Sequence, residues 1–269
     1  MRAWLFVLVA CGSPGQPARP AASPLRAELG DTFQLESKVL GERRVINVYV
    51  PPEYAKSTER YPVLYMPDGG MAEDFPHVVG AVDVSIKNAV IRPVIVVGIE
   101  NTERRRDLVG PTTVPDEQQA APHAGGADKF RAFLRDELKP EIARRYRTSA
   151  ESAIIGESLA GLFVVETFVV EPGLFDAYIA ADPSLWWNGQ TLVRDAGARL
   201  AWWTAGPKRL YIATADHPPM LEAVATLVTQ LRIYAPPVTW IHDAMPDEQH
   251  HTIYPRAALR GIRATFAVN

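Results

Sequence analysis

Ile154-Ile155-Gly156-Glu157-Ser158-Leu159-Ala160-Gly161 is the stretch that decides the fold. It continues an apolar, β-capable run from Ala153, and Leu162-Phe163-Val164-Val165 directly behind it suits a buried helix. The pattern is strand, sharp turn, helix, with a serine at the apex. Such a turn lifts the serine hydroxyl above a sheet and needs small residues two before and two after it, so that neighbouring backbone can pass. Gly156 and Ala160 hold those places, Ala160 where glycine is commoner. The helix behind the turn aims free N–H groups at the serine, where they can meet negative charge. Gly-x-Ser-x-small also arises by chance in βα turns. The strand before it and the helix after it point to Ser158 as a nucleophile.

On both sides of this turn, apolar strands alternate with helical stretches. Phe33–Ser37 and Val45–Val50 flank a polar turn at Gly41 and read as a hairpin. Tyr61–Met66 and Val94–Ile99 are continuous apolar runs, as in strands buried on both faces. From Asp128 to Tyr146 the apolar residues Phe130, Phe133, Leu134, Leu138 and Ile142 recur at helical spacing, with Pro140 expected to kink the stretch or start a new helix. Strands are expected at Phe175–Ala181, Arg209–Ala213 and Pro237–Ile241, and helices at Leu192–Trp203, Met220–Tyr234 and about Pro255–Phe266. Residues 242–251 read as a polar loop. The alternation implies an α/β fold: a mostly parallel central sheet, an N-terminal antiparallel hairpin, and helices on both faces.

In open α/β sheets, sites gather at the carboxyl ends of the strands. Ser158 follows the central strand, Asp216 a later one, and His250 lies in the loop after the last. That is the order serine, acid, histidine. His250 would take the Ser158 proton, and Asp216 would orient the imidazole. Asp182 also ends a strand, Glu248 is close to His250, and a Ser158–His250 pair can work without an acid, so these alternatives stand. His251 is the neighbour that competes with His250, while His242 reads as a packed or edge residue. The backbone N–H groups of Leu159 and Gly70 are the expected oxyanion donors. Trp186 and Trp187 follow a strand end and read as an aromatic wall, or as core. Arg106, in the run Arg104-Arg105-Arg106, is the expected contact for an anionic substrate, against the plain reading of a solvated basic cluster.

The chain has 269 residues, a net charge of −3 and 47% apolar residues, ordinary for a globular protein and without the basic field that recruits nucleic acid. No His-Glu-x-x-His, cysteine pair or glycine-rich phosphate loop occurs, so neither a metal nor another cofactor is expected. Residues 1–24 read as a lipoprotein-type leader and tether. Met1-Arg2 is basic, Ala3–Ala10 is apolar, Leu8-Val9-Ala10-Cys11 is similar to a lipobox, and Gly12–Pro24 is rich in Gly, Pro, Ala and Ser. Lipid on Cys11, the sole cysteine, would be the one link to a membrane, and the protein would be exported. A plain secretory leader is the second reading. Residues 25–269 are expected to form one domain.

Several stretches resemble the esterase D and enterobactin-esterase-like group. They are Ser37–Glu42, Val48-Tyr49-Val50-Pro51, Tyr61–Tyr65, Asn101–Leu108, Phe130–Pro140, Gly156–Phe163, Asp182-Pro183-Ser184-Leu185-Trp186-Trp187 and Glu248-Gln249-His250-His251-Thr252. They follow in order from about residue 30 to the end of the chain. The resemblance implies an α/β-hydrolase fold and a serine esterase acting on a small, aryl or siderophore ester, with the group's Glu-x-His-x-Ser/Thr histidine at His250. Two departures bear on the acid: Asp182-Pro183-Ser184 stands where relatives often have Ser-Pro-Ser, and Ala215 where glycine is usual. Acyl transfer to an acceptor other than water, and a catalytically silent binding lipoprotein, are the rival readings.

Overall fold

The computed structural model of the chain describes residues 29–234 and 237–268. The leader and Cys11 lie outside them. In chain order the strands are β1 (Asp31–Ser37), β2 (Glu42–Tyr49), β3 (Tyr61–Met66), β4 (Ile95–Ile99), β5 (Thr148–Glu157), β6 (Ala177–Ala181), β7 (Lys208–Ala215) and β8 (Val238–Met245). The helices are α1 (Phe75–Lys87), α2 (Arg104–Asp107), α3 (Pro115–Ala120), α4 (Ala127–Phe133), α5 (Lys139–Arg145), α6 (Leu159–Val170), α7 (Trp187–Leu200), α8 (Pro218–Tyr234) and α9 (Tyr254–Phe266).

The strands form one sheet in the order β1-β2-β4-β3-β5-β6-β7-β8. β1 and β2 pair as an antiparallel hairpin, β2 runs antiparallel to β4, and every other neighbour is parallel. This is the α/β-hydrolase arrangement that the sequence predicts. Side chains alternate across the sheet. On β3, Val63 and Tyr65 join the core beneath α4 to α8, whereas Leu64 and Met66 join the core beneath α1 and α9. β5 does the same with Ile154 against Ala153 and Ile155. Burial on both faces is why these strands are apolar without a break.

Pro140 starts a new helix, as expected: α4 and α5 are joined by a turn of π-helix, Leu134–Leu138, and Pro140 lies in the first turn of α5. Pro140 lacks an N–H and its ring excludes the carbonyl four residues back, so the backbone widens just before it. Elsewhere some boundaries differ from the sequence expectation. β8 runs on through His242 and Asp243 to Met245, where a loop was expected. As an edge strand it tolerates polar residues, and these two pair with β7: His242 Nε2 lies 2.9 Å from Thr214 Oγ1, and Tyr211 donates to Asp243 at 2.6 Å. α7 begins at Trp187, five residues early, through a left-handed stretch at Asn188, Gly189 and Gln190. Among the described residues no helix is long and apolar enough to cross a membrane.

Candidate active site

Ser158 stands between β5 and α6 with φ 57° and ψ −118°, a conformation that costs a side-chain-bearing residue on the order of 1–3 kcal/mol. Three backbone bonds hold it there. Ser158 N–H donates to Ala181 O at 3.0 Å, and its carbonyl accepts Leu162 N–H at 2.8 Å and Ser184 N–H at 3.0 Å. The glycine two before it is sterically required, because a Cβ on Gly156 would sit 2.6 Å from the Ala160 carbonyl.

His250, on the loop between β8 and α9, reaches Ser158. Its Nε2 lies 3.0 Å from Ser158 Oγ. The carboxylate on its other nitrogen is that of Asp182, with Oδ2 2.6 Å from Nδ1. A carboxylate accepts only, so Nδ1 carries the proton and Nε2 accepts from the Ser158 hydroxyl. Asp216, expected in that place, is exposed at the end of β7, where its own N–H donates to Glu248 O at 3.2 Å. The carboxylate that meets His250 follows β6, one strand nearer Ser158. Asp182 is fully buried, and its Oδ1 accepts Ala215 N–H at 3.0 Å. Glu248 turns away to Thr252 and Arg256, and His251 is exposed.

The bond to Asp182, and then its charge, raise the His250 pKa above the ordinary imidazole value, with burial opposing and Glu157 adding to the rise. Glu157, next to the nucleophile, is pushed up by burial to about 7. Neither this carboxyl nor Ser184 was singled out by sequence reasoning. Ser184 is buried, and its Oγ lies 3.2 Å from Ser158 Oγ. With the Ser158 proton directed at His250, the Ser184 hydroxyl is the donor of that pair.

The two expected oxyanion donors differ. Among the described residues Leu159 N–H, at the head of α6, has no protein acceptor. Gly70 N–H is occupied: it donates to Glu73 Oε2 at 2.7 Å, and the same carboxylate accepts Asn101 Nδ2 at 3.0 Å.

Ser158, His250, Trp186 and Trp187 share a cleft of about 580 Å³ with Arg104 and Arg105. Both tryptophans line the cleft that Ser158 lines, and Trp187 is also buried in the core. Arg106 does not line this cleft: its guanidinium binds Glu42 at 2.7 Å and Asp107 at 2.7 Å. Arg104 faces the cleft but is engaged, with Nε and Nη2 on the two Asp68 oxygens at 2.7 and 2.8 Å. Among the described residues no group of three or more His, Cys, Asp or Glu is disposed to hold a metal ion.

The sheet order is that of the α/β-hydrolase class, with the strained serine turn and the Ser158–His250–Asp182 contacts at the carboxyl ends of its strands. The chain belongs to the Esterase family, described as "Putative esterase", whose match covers residues 37–242 and so includes Ser158 and Asp182. Among characterised relatives, the ferri-bacillibactin esterase BesA of Bacillus subtilis is 34% identical over 165 residues, 55% of this chain and 56% of that protein. The siderophore enterobactin esterase of Emericella nidulans is 34% identical over 89 residues, 32% of this chain and 29% of that protein. The chain thus spans just over half of the first relative's length and less of the second's. Among solved structures, the IroE-like serine hydrolase from Shewanella oneidensis superposes with a TM-score of 0.81 at 29% identity, covering 89% of this chain and 81% of that one.

Proposed function

We propose that this protein hydrolyses carboxylic esters through an acyl-enzyme on Ser158, with His250 as base and then acid and Asp182 as the orienting carboxylate. The observation that carries this reading is the unbroken relay from Ser158 Oγ to His250 Nε2 at 3.0 Å and from Nδ1 to Asp182 at 2.6 Å, at the edge of an open cleft.

Ser158 Oγ attacks the ester carbonyl carbon as its proton passes to His250 Nε2. The imidazolium is held by the buried Asp182. The tetrahedral oxyanion takes Leu159 N–H, and Gly70 N–H once the Glu73 carboxylate yields it. The C–O bond to the alcohol then breaks, and the alcohol leaves with the proton from His250. Water, giving a proton to His250, attacks the acyl carbon; the bond to Ser158 Oγ then breaks, His250 returns the proton to that oxygen, and the acid leaves.

The substrate is a small-molecule ester with a flat or apolar group against Trp186 and Trp187. Siderophore esters belong in the substrate screen because the relatives are named for them. Export with a lipid on Cys11 is supported by Leu8-Val9-Ala10-Cys11, and Cys11→Ser should abolish lipid labelling. A wild-type protein without lipid rejects the anchor.

The test of function is a hydrolysis screen over p-nitrophenyl esters, feruloyl esters and catecholate siderophores, with wild type beside Ser158→Ala. Ser158→Ala should lose at least about a thousandfold in kcat on any ester that the wild type cleaves. A folded Ser158→Ala enzyme retaining a tenth of the wild-type rate removes the acyl-enzyme.

A further inference from the structure

Behind the serine cleft lies a second cavity, of about 230 Å³, whose walls include Leu162, Val170 and Glu166 of α6 and Leu192 of α7. Trp187 is the one residue common to the linings of the two spaces. Its indole is fixed at the edge: Nε1–H donates to Gly110 O at 3.0 Å, and the ring packs tilted against Trp186 at 6.0 Å between centroids.

What holds the indole there is a turn rather than regular helix. Asn188, Gly189 and Gln190 stand at φ 48°, 58° and 64°, the left-handed region that glycine enters freely, asparagine with little cost, and glutamine under strain. The turn is tied from across the cleft. Asn188 N–H donates to Glu117 Oε2 at 2.9 Å, and Asn188 Oδ1 accepts Thr113 N–H at 3.0 Å and Thr113 Oγ1–H at 3.2 Å. The second cavity is lined by Leu162, Val170 and Leu192, by the half-buried Glu166, whose carboxylate lies 3.5 Å from Arg131, and by the exposed Asp195 and Arg199. The aliphatic walls suit an alkyl chain, and the exposed pair marks where the cavity meets water.

We propose that Trp187 is the specificity-determining residue of this site. It closes the end of the ester cleft, and the cavity between α6 and α7 is an alkyl subsite that a long chain enters when the indole is withdrawn. Asn188 is the positioning residue that keeps the indole in place. The proposal rests on Ser158 being the nucleophile.

The test uses alkyl fluorophosphonates on the full chain, so that it does not depend on finding the natural ester. Ser158 Oγ forms a bond to phosphorus, the P–F bond breaks, fluoride leaves, and the serine proton goes to His250. The quantity read is the ratio of inactivation rates for an octyl and an ethyl probe. Trp187→Ala should raise that ratio about tenfold over wild type, the gain from burying roughly two further methylenes. The ethyl rate of the same variant is the denominator, so a general change in reactivity at Ser158 cancels from the ratio. Asn188→Gly keeps the left-handed backbone and removes the Oδ1 acceptor. It should raise the ratio in the same direction by a smaller factor, and it stands in if Trp187→Ala does not fold. Adding Val170→Phe to either variant, to fill the cavity, should return the ratio toward wild type. An unchanged ratio in the folded variants, or a gain that survives Val170→Phe, overturns the proposal while Ser158 labelling stands. No labelling of the wild type by either probe overturns the nucleophile, and this proposal with it.

Discussion

Asp182 Oδ2 lies 2.6 Å from His250 Nδ1, and the other oxygen of the same carboxylate accepts Ala215 N–H at 3.0 Å. Asp182 reaches this position on a left-handed backbone, φ 40°, that turns its side chain back over the ends of β6 and β7. Aspartate tolerates that conformation better than most residues. A fully buried carboxylate needs partners for its lone pairs. Here one oxygen is anchored by the sheet and the other is left for the imidazole, so the histidine is aligned by the rigid part of the fold.

Asp182→Asn should therefore lower kcat on the order of ten-thousand-fold, because an amide at this place favours the wrong imidazole tautomer. Asp216→Asn, exposed and on a different bond, should stay within about threefold of wild type, as surface changes usually do. Both variants are compared at saturating ester. A large loss confined to Asp216→Asn would return the role to Asp216, and small losses in both would leave a Ser158–His250 dyad.

The pH dependence has a definite sign. In the proposed mechanism His250 works as a base only when neutral, and Asp182 holds its pKa up. Activity should thus rise with pH, and the midpoint of that rise in kcat/KM should lie above the ordinary histidine value of about 6.5. Glu157 titrates in the same range, at about 7. Its anionic form favours the imidazolium, so Glu157→Gln should move the midpoint down. A profile of kcat/KM at constant ionic strength reads this directly, and an unmoved or raised midpoint would show that Glu157 does not act on His250.

Ser158, the parallel core strands and the hairpin were legible because their signals are local. A serine turn needs small neighbours, and a strand buried on both faces needs an apolar residue at every place. His250 followed from its position after the last strand and from the resemblance of its flanking residues. Which carboxylate meets His250 was not legible, since Asp182 and Asp216 both end parallel strands on the same side of the sheet. What separates them is a backbone angle and one bond to Ala215, neither of which is written in residue order. The same holds for Gly70, whose place after β3 is visible while the return of Glu73 onto its N–H is not. Arg104, Arg105 and Arg106 are equivalent as letters, but successive residues of α2 point about 100° apart. Arg106 is thereby turned toward Glu42 and Asp107, and the other two toward the cleft.

Gly156→Ala tests the serine turn by its packing. The added methyl would meet the Ala160 carbonyl carbon and oxygen at 2.6 Å and the Ala160 methyl at 2.8 Å. None of these is the free end of a flexible chain, so α6 must move away from β5. Overpacking of this kind costs about 1–3 kcal/mol. It also displaces Leu159 N–H from the serine, so kcat should fall by more than stability does. Thermal unfolding followed beside kcat separates the two. A variant with wild-type kcat would show that the turn has room the distances deny.

Arg44 and Asp107 make the strongest case for a stability defect away from the serine. Arg44, on β2, is 1% exposed at its side chain and Asp107, closing α2, is 2% exposed; the two form a direct ion pair. Arg44 also meets Glu42 at 2.9 Å and the Glu100 carbonyl at 3.3 Å, and Arg106 Nε takes the second Asp107 oxygen at 2.7 Å. The network ties the N-terminal hairpin to the segment that carries Arg104 into the cleft. Asp107→Asn removes the buried negative charge beside Arg44 and leaves it with the half-buried Glu42 as counter-charge. Breaking a buried pair from one side costs about 3–5 kcal/mol, and Glu42 places this case near the lower end. For a chain of this size that corresponds to a fall in Tm on the order of 10 °C. Removing both charges gives the control: Arg44→Met with Asp107→Leu takes out both ions together and should recover much of the loss, since replacing a buried pair by apolar groups is often neutral. If Asp107→Asn melts with the wild type, the pair contributes nothing net, and the hairpin is held by its apolar contacts alone.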